Sequence, residues 1–470
     1  MPATLSPPAL AALSEFLAVR IGLNFPQARW DDLERGIAAV APEFGFSDVQ
    51  SCAHWLLSTA LTQPMIETLA SHLTVGETYF FREPRSLEVL EDPILSDLLQ
   101  ARHRTQRRLR IWSAGCCTGE EPYSIAMLLD RLIPDQRTWN ITILATDINP
   151  QFLRKAAHGV YGEWSFRAMP VTLRERYFKK RRDGRFEILP HLKSKVTFSY
   201  LNLADAAYPA LANNSNAMDV IFCRNVLMYF TPERAQAVAG NFYRALVDGG
   251  WLIVSPVETS SVLFAPFTAV AFPGVTLYQK TVEAEPGVGL VKEIASVLVV
   301  PPAAWTPPII PSRTVEAAQT APIAKPPASL TDHTALADNA RDSANQGKLD
   351  EALAWCAKAI AADKLNPAHY YLFAVIQQEQ GQVNAAAQAL HHALYLDPDF
   401  VLAHFALGNL RLAQGKQREA ARHFGNAGAL LQQYPRDKAL PEWDGMTAGR
   451  LVEIIASIMS NLLQPTVADV

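Results

Sequence analysis

The chain has 470 residues, 42 Lys plus Arg against 46 Asp plus Glu, a formal net charge of −4 and 49% apolar residues. That length points to two or three domains, and the balanced charge alone singles out no polyanionic partner. The apolar runs fall short of the roughly 20 residues a membrane-spanning helix needs. The opening MPATLSPPALAALSEF lacks the basic start of a secretory signal. Five scattered cysteines, with no CxxC pair and no His/Cys cluster, point to a reducing compartment and to no structural metal.

Residues 1–75 place apolar side chains three and four apart over Leu10–Val19, Leu33–Val40 and Trp55–Leu61, with Pro26, Pro42 and Pro64 between them. This spacing predicts a small helical domain over about residues 1–80. Next comes Val75-Gly76-Glu77-Thr78-Tyr79-Phe80-Phe81-Arg82-Glu83-Pro84. From spacing alone it reads as a buried connection, core packing with an ion pair. Arg102, Arg104, Arg107, Arg108 and Arg110 follow and read as a solvated surface.

Leu109–Asp130, LRIWSAGCCTGEEPYSIAMLLD, reads as an apolar strand, a small-residue turn and an amphipathic helix that opens at Glu120-Glu121-Pro122. Proline suits a first helical turn, where its missing N–H would be unpaired anyway. Open α/β sheets bind nucleotide-like cofactors at such turns, because glycine lets a ligand approach the backbone. The spacing is not G-x-G-x-x-G, which argues against a nicotinamide dehydrogenase. A second strand, Asn140–Ala145, ends in Thr146-Asp147. An acid there can accept both hydroxyls of a ribose; Asp147 can also cap a helix starting at Pro150.

Arg174–Lys195 holds nine Lys/Arg against Glu175, Asp183 and Glu187, with Asp183-Gly184 between two short apolar runs. That is a basic hairpin inserted at about 161–195. It could grip nucleic acid, dock an acidic protein or form an ordinary surface; it lacks the aromatic–basic interleaving that would favour RNA. Further strands are expected at Val196–Tyr200, Met218–Cys223, Trp251–Ser255, Phe267–Phe272 and Val275–Lys280, giving seven in all. Residues 282–331, with eight prolines between Pro301 and Pro327, read as an extended linker. Beyond it, Gly347, Gly381 and Gly415 recur at 34-residue intervals, as do Ala352, Ala386 and Ala420 and Ala359, Ala393 and Ala427. This is the tetratricopeptide period, with residues 446–463 expected to cap the array.

Four motifs in order give the chain a specific resemblance: Thr78–Arg82, Ala114–Ser124, Ala145–Ile148 and Phe222–Phe230. Over residues 10–280 the chain resembles the CheR-type chemoreceptor glutamate methyltransferases, here followed by tetratricopeptide repeats. The implied fold is an α/β, seven-stranded, Rossmann-like S-adenosylmethionine methyltransferase sheet in residues 81–281. It carries a small antiparallel insert, follows a helical domain in 1–80 and precedes an all-α solenoid in 332–470.

The resemblance implies that Thr78, Arg82 and a glutamate of Glu120-Glu121 contact the amino-acid end of S-adenosyl-L-methionine, beside Gly115, and that Asp147 holds its ribose. Asn202, Leu203, Arg224 and Asn225 would flank the adenine and the methyl-sulfonium region. Arg82 and Tyr229 would orient the accepting carboxylate. The family often has Asn where this chain has Gly76, so a side-chain contact is lost there. The insert's hairpin has no glycine pair of the kind that would hold a receptor tail. The implied activity is protein-glutamate O-methylation in chemosensory signalling. The implied partners are the cytoplasmic domain of a chemoreceptor and an unidentified protein or peptide in the repeat groove, with no nucleic acid, no membrane insertion and a cytoplasmic location. An RNA or small-molecule methyltransferase, or a non-catalytic scaffold built on the repeats, are the competing readings. Cys116 and Cys117 are expected to be small fillers of the turn rather than nucleophiles.

Overall fold

The computed structural model describes residues 5–103, 108–205, 208–211, 213–281, 292–293, 331–436, 438–440, 442 and 447–463, together with Arg107. Most of the stretch read as a linker therefore lies outside the described residues, as does Arg104.

Strand β1, Arg108–Ala114, is buried along its whole length because it is the centre of the main sheet. The other strands are β2 (Asn140–Asp147), β3 (Val160–Tyr161), β4 (Phe178–Lys180), β5 (Phe186–Ile188), β6 (Val196–Tyr200), β7 (Met218–Cys223), β8 (Leu246–Val254), β9 (Thr268–Phe272), β10 (Val275–Gln279) and β11 (Lys292–Glu293). The main sheet runs β11-β9-β10-β8-β7-β1-β2-β6. Strands β6, β2, β1, β7 and β8 are parallel, and β10 pairs antiparallel with both β8 and β9. These are the seven expected strands in their expected places. The two-residue β11 adds an eighth, parallel to β9, inside the stretch read as a linker. The insert is a separate antiparallel sheet in the order β3-β5-β4.

Four α-helices, Pro7–Arg20, Trp30–Val40, Val49–Ser58 and Gln63–Leu73, form the N-terminal layer around Leu13, Leu33, Ile37 and Leu56. At the other end of the chain, hairpins of helices follow the 34-residue period. Gly347, Gly381 and Gly415 all adopt positive φ just past the first helix of each pair. The periodic alanines Ala352, Ala386, Ala420, Ala393 and Ala427 are completely buried between paired helices.

Of the arginines expected on a solvated surface, Arg107 is exposed as expected, but Arg108 and Arg110 are at the N-terminal end of the sheet. Arg110 and Arg108 are 2% and 8% exposed. The cause is position: both begin the central strand. Asp219 at the start of β7 pairs with Arg102 and accepts the Arg110 N–H at 2.8 Å. Arg108 Nη2 meets Glu379 of the repeats at 3.3 Å, and Asn140 Nδ2 donates to the Glu379 carbonyl at 2.7 Å. Burial lowers the Arg108 pKa to about 10, which leaves it charged at neutral pH. The repeats therefore dock on the sheet's rear edge. The cofactor-type turn lies at the other end of β1, about 20 Å away at the usual strand rise.

Candidate active site

At the C-terminal end of β1 the chain turns sharply through Gly115, at φ +82°, where a Cβ would lie 2.4 Å from Val226. The N–H groups of Gly115 and Cys116 donate to the Thr146 carbonyl, and the Cys117 N–H donates to Asp147 Oδ2 at 2.9 Å. Asp147 Oδ1 accepts the Asn149 N–H at 2.8 Å. The cap of the next helix is Asn149, which accepts from the N–H groups of Gln151 and Phe152, so Asp147 is left to face the cleft. Its burial raises its pKa to about 6, against the lowering by those N–H donors. Burial also pushes up the Cys117 thiol to about 12, and that of Cys116 well above its usual value. Neutral thiols suit packing rather than attack.

The Thr78–Arg82 motif is anchored by Phe80. Its fully buried ring packs on Tyr161, Phe166 and Phe178 of the insert at 4.9, 5.1 and 5.0 Å. Arg82 lies between Phe81 and Glu83, both at positive φ. Its guanidinium donates to the Glu77 carbonyl and lies 5.8 Å from the Tyr79 ring centre. Arg224 links this motif to the helix start: Nη1 donates to the Arg82 carbonyl and Nε to Glu121 Oε2, both at 2.7 Å. Ser113 Oγ holds the other Glu121 oxygen at 2.7 Å.

One cleft, with about 1020 Å³ free of protein atoms, is lined by Thr78, Arg82, Gly115, Glu121, Asp147, Asn202, Leu203, Arg224, Asn225 and Tyr229. Ten of the eleven residues singled out from the sequence thus meet in one place. Glu120 is not part of the lining. Its carboxylate is buried and accepts from Thr118 and Ser165 hydroxyls at 2.6 and 3.0 Å, because the first helical turn points it toward the insert. Asn202 spends its amide locally, on Asp205 and the Ala204 N–H. Beside Gly76 the Phe152 ring lies where a side chain would go, 2.8 Å from an ideal Cβ.

Sequence reasoning missed two groups. The first is the N-terminal wall of the cleft. Asn24 N donates to the Tyr229 carbonyl at 2.7 Å, and Arg29 lies over the Tyr229 and Phe25 rings at 5.2 and 5.1 Å. The second is Glu258, after β8. Its buried carboxylate accepts the N–H groups of Asn225, Val226, Met228 and Ser255 at 2.6, 2.8, 3.2 and 3.3 Å. This holds Asn225 at φ +58° and fixes the short turn Leu227–Tyr229. The one sequence signal is the Ser255-x-x-Glu258 spacing of a capping box; the reach to Asn225, Val226 and Met228 has none, since those partners are backbone.

Residues 76–267 match the family described as CheR methyltransferase, SAM binding domain. The protein named chemotaxis protein methyltransferase 2 of Vibrio cholerae is 37% identical over 215 residues, which cover 46% of this chain and 73% of that protein. The chain belongs to the CheR methyltransferase family. Two further relatives named probable biofilm formation methyltransferase WspC extend the match. That of Pseudomonas aeruginosa is 30% identical over 371 residues, 76% of this chain and 84% of its own length. That of Pseudomonas putida is 29% identical over 422 residues, 87% and 95% respectively, so its match takes in repeats as well as sheet.

S-adenosylmethionine is accordingly the cofactor of this methyltransferase. The cleft suits it chemically. The Arg224–Glu121 pair presents one charge of each sign to a zwitterionic amino-acid end, and Asp147 offers a carboxylate to a diol. The Asn225 Oδ1, buried and without a partner in the described structure, supplies a spare acceptor. Among the described residues no helix is long and apolar enough to cross a membrane.

Asp147 yields the first testable expectation. If its carboxylate accepts the ribose hydroxyls, S-adenosylmethionine affinity measured by calorimetry should hold at pH 7–8 and weaken as pH falls through about 6. Protonation removes one acceptor, and one pKa unit is worth about 1.4 kcal/mol. Asp147→Ala should weaken binding by about 1.5–3 kcal/mol, the range for a hydrogen bond to a charged group. Unchanged affinity in the mutant would refute the assignment.

Proposed function

We propose that this methyltransferase forms methyl esters on glutamate side chains of a chemoreceptor's cytoplasmic domain, acting in the cytoplasm. The observation that carries the reading is the convergence of Arg82 and Tyr229 on the cleft that also holds Glu121, Asp147, Arg224 and Asn225. Bound S-adenosylmethionine supplies an electrophilic methyl on a sulfonium. A glutamate, with its usual pKa near 4.3, is already ionised at neutral pH. The acceptor therefore needs alignment and water exclusion rather than a general base.

In this reading Arg224 and Glu121 hold the cofactor's carboxylate and ammonium, with Thr78 and Gly115 beside them. Asp147 holds the ribose, while Asn202 and Leu203 border the adenine. Arg82, tied back to the Glu77 carbonyl, draws in the acceptor carboxylate. Tyr229, steadied by Asn24 and Arg29, donates a hydrogen bond to it. A donor without charge stabilises the ground state less than a full ion pair, so more of its binding is available to the transition state. The corresponding division of the chain is a helical domain in 1–80, the methyltransferase domain in 81–281, a linker in 282–331 and the repeats in 332–470.

The insert's basic run lacks repeated aromatic–basic interleaving, which favours a protein acceptor over RNA. Arg181 and Arg185 pair with Asp183, Arg181 also with Glu187, and Arg174 with Glu163. Asp183 and Glu187 are already counted against the nine Lys/Arg of 174–195, so the insert keeps its positive surplus. Incubation with methyl-labelled cofactor, a receptor cytoplasmic fragment and total RNA separates the readings. Label should enter protein in a base-labile form; label in RNA would overturn the proposal.

A further inference from the structure

The two proposed acceptor ligands sit on stretches that bend through backbone most side chains avoid. Phe81 and Glu83, at φ +57° and +53°, bracket Arg82. Asn225, at φ +58°, stands just before the turn that carries Tyr229. Left-handed backbone at residues other than glycine persists only where the surroundings hold it. One side chain holds both stretches: Ser255, the first residue past β8, which is completely buried.

The Ser255 hydroxyl donates to Glu83 Oε1 at 2.8 Å, across 172 residues of sequence, and accepts from Asn225 Nδ2 at 3.0 Å. Within its own turn it also accepts the Glu258 N–H. A serine hydroxyl has one proton and two lone pairs, so these three bonds use it completely. Asn225 Nδ2 and the Glu258 N–H can only donate, so the proton goes to Glu83 and every bond has a fixed direction. Glu83 also faces Arg224, whose Nη1 lies 3.6 Å from Oε2 and donates to the Arg82 carbonyl at 2.7 Å. On the other side, Glu258 accepts the Ser255 N–H together with those of Asn225, Val226 and Met228. The Arg82 stretch and the Tyr229 turn therefore meet at Ser255.

We propose that Ser255 is a positioning residue for the methyl transfer: its hydroxyl locks the Arg82 stretch to the Tyr229 turn, so that the two acceptor ligands keep a fixed separation. This rests on the reading that Arg82 and Tyr229 hold the acceptor carboxylate. Ser255 acts through them and not on the reacting atoms.

Amide hydrogen exchange of the full chain tests the lock without any acceptor. Glu83→Ala removes the group that takes the Ser255 proton, from a side chain that is 23% exposed. Exchange should then speed up severalfold in the peptide covering Phe222–Phe230, on the other stretch, and stay unchanged in the β9–β10 hairpin. Glu83→Gln keeps an oxygen for Ser255 and should restore the wild-type rate. Unchanged exchange in Glu83→Ala, or the same acceleration in Glu83→Gln, would overturn the proposal. Turnover with a receptor cytoplasmic fragment reads the consequence. Ser255→Ala and Glu83→Ala should each lower kcat about tenfold, a modest misplacement of a reacting group. The double variant should lose no more than either alone, because both substitutions break the same bond. S-adenosylmethionine affinity should change little, since Glu121 and Asp147 take no bond from Ser255 or Glu83. Losses that multiply in the double variant, or wild-type kcat in both single variants while Tyr229→Phe is slow, would overturn the proposal. Wild-type turnover in Tyr229→Phe would instead overturn the acceptor reading and leave the exchange result to decide the lock. Should Ser255→Ala fail to fold, the two Glu83 variants carry the test.

Discussion

Tyr229→Phe should lower turnover by about 10²-fold, the scale on which misplacing a reacting group costs rate, with S-adenosylmethionine affinity little changed. The substitution removes one hydroxyl and leaves the ring beneath Arg29, 5.2 Å away, and the backbone bond to Asn24 intact. The turn that carries it is held from behind by Glu258, through N–H groups that the substitution does not touch. Steady-state kinetics with calorimetry on the same samples make the measurement. Wild-type turnover in the mutant would remove Tyr229 from the reaction and leave Arg82 as the acceptor's only proposed ligand.

Glu379→Ala should destabilise the chain by about 3–5 kcal/mol, the usual cost of removing one partner of a buried ion pair. The side chains of Arg108 and Glu379 are 10% and 5% exposed. Truncation leaves a guanidinium at the start of the central strand with little water to solvate it. Cofactor affinity should be retained, because the cleft lies at the far end of β1. Denaturant unfolding monitored alongside S-adenosylmethionine binding reads both quantities. A loss below about 1 kcal/mol, the level of a surface pair, would mean that the repeats do not sit on the sheet edge in solution.

Much of the catalytic half was legible in the sequence because its chemistry is carried by local motifs. The strand before Gly115, the acid at the end of β2 and the Phe222–Phe230 run each announce themselves within a few residues, and the fold brings them together at one sheet edge. The 34-residue period was legible for the same reason: each repeat is a local unit, and Ala386 or Ala420 packs within its own hairpin.

What was not legible depends on contacts distant in sequence. The arginines before β1 look like a solvated run until Asp219 and Glu379, 117 and 271 residues from Arg102 and Arg108, close on them. Glu120 and Glu121 are equivalent as letters. Only the helix phase sends one to the insert and the other to the cleft. Glu258 works through backbone N–H groups, which no side-chain spacing across β7 and β8 announces.

The central claim is tested most directly by mapping the transferred methyl on a receptor cytoplasmic fragment by peptide mass spectrometry. The account predicts a methyl ester on a glutamate side chain, lost on mild base treatment and absent when Tyr229→Phe replaces the wild-type enzyme at matched short times. A base-stable methyl on lysine, arginine or nucleic acid, with glutamates unmodified, would contradict it.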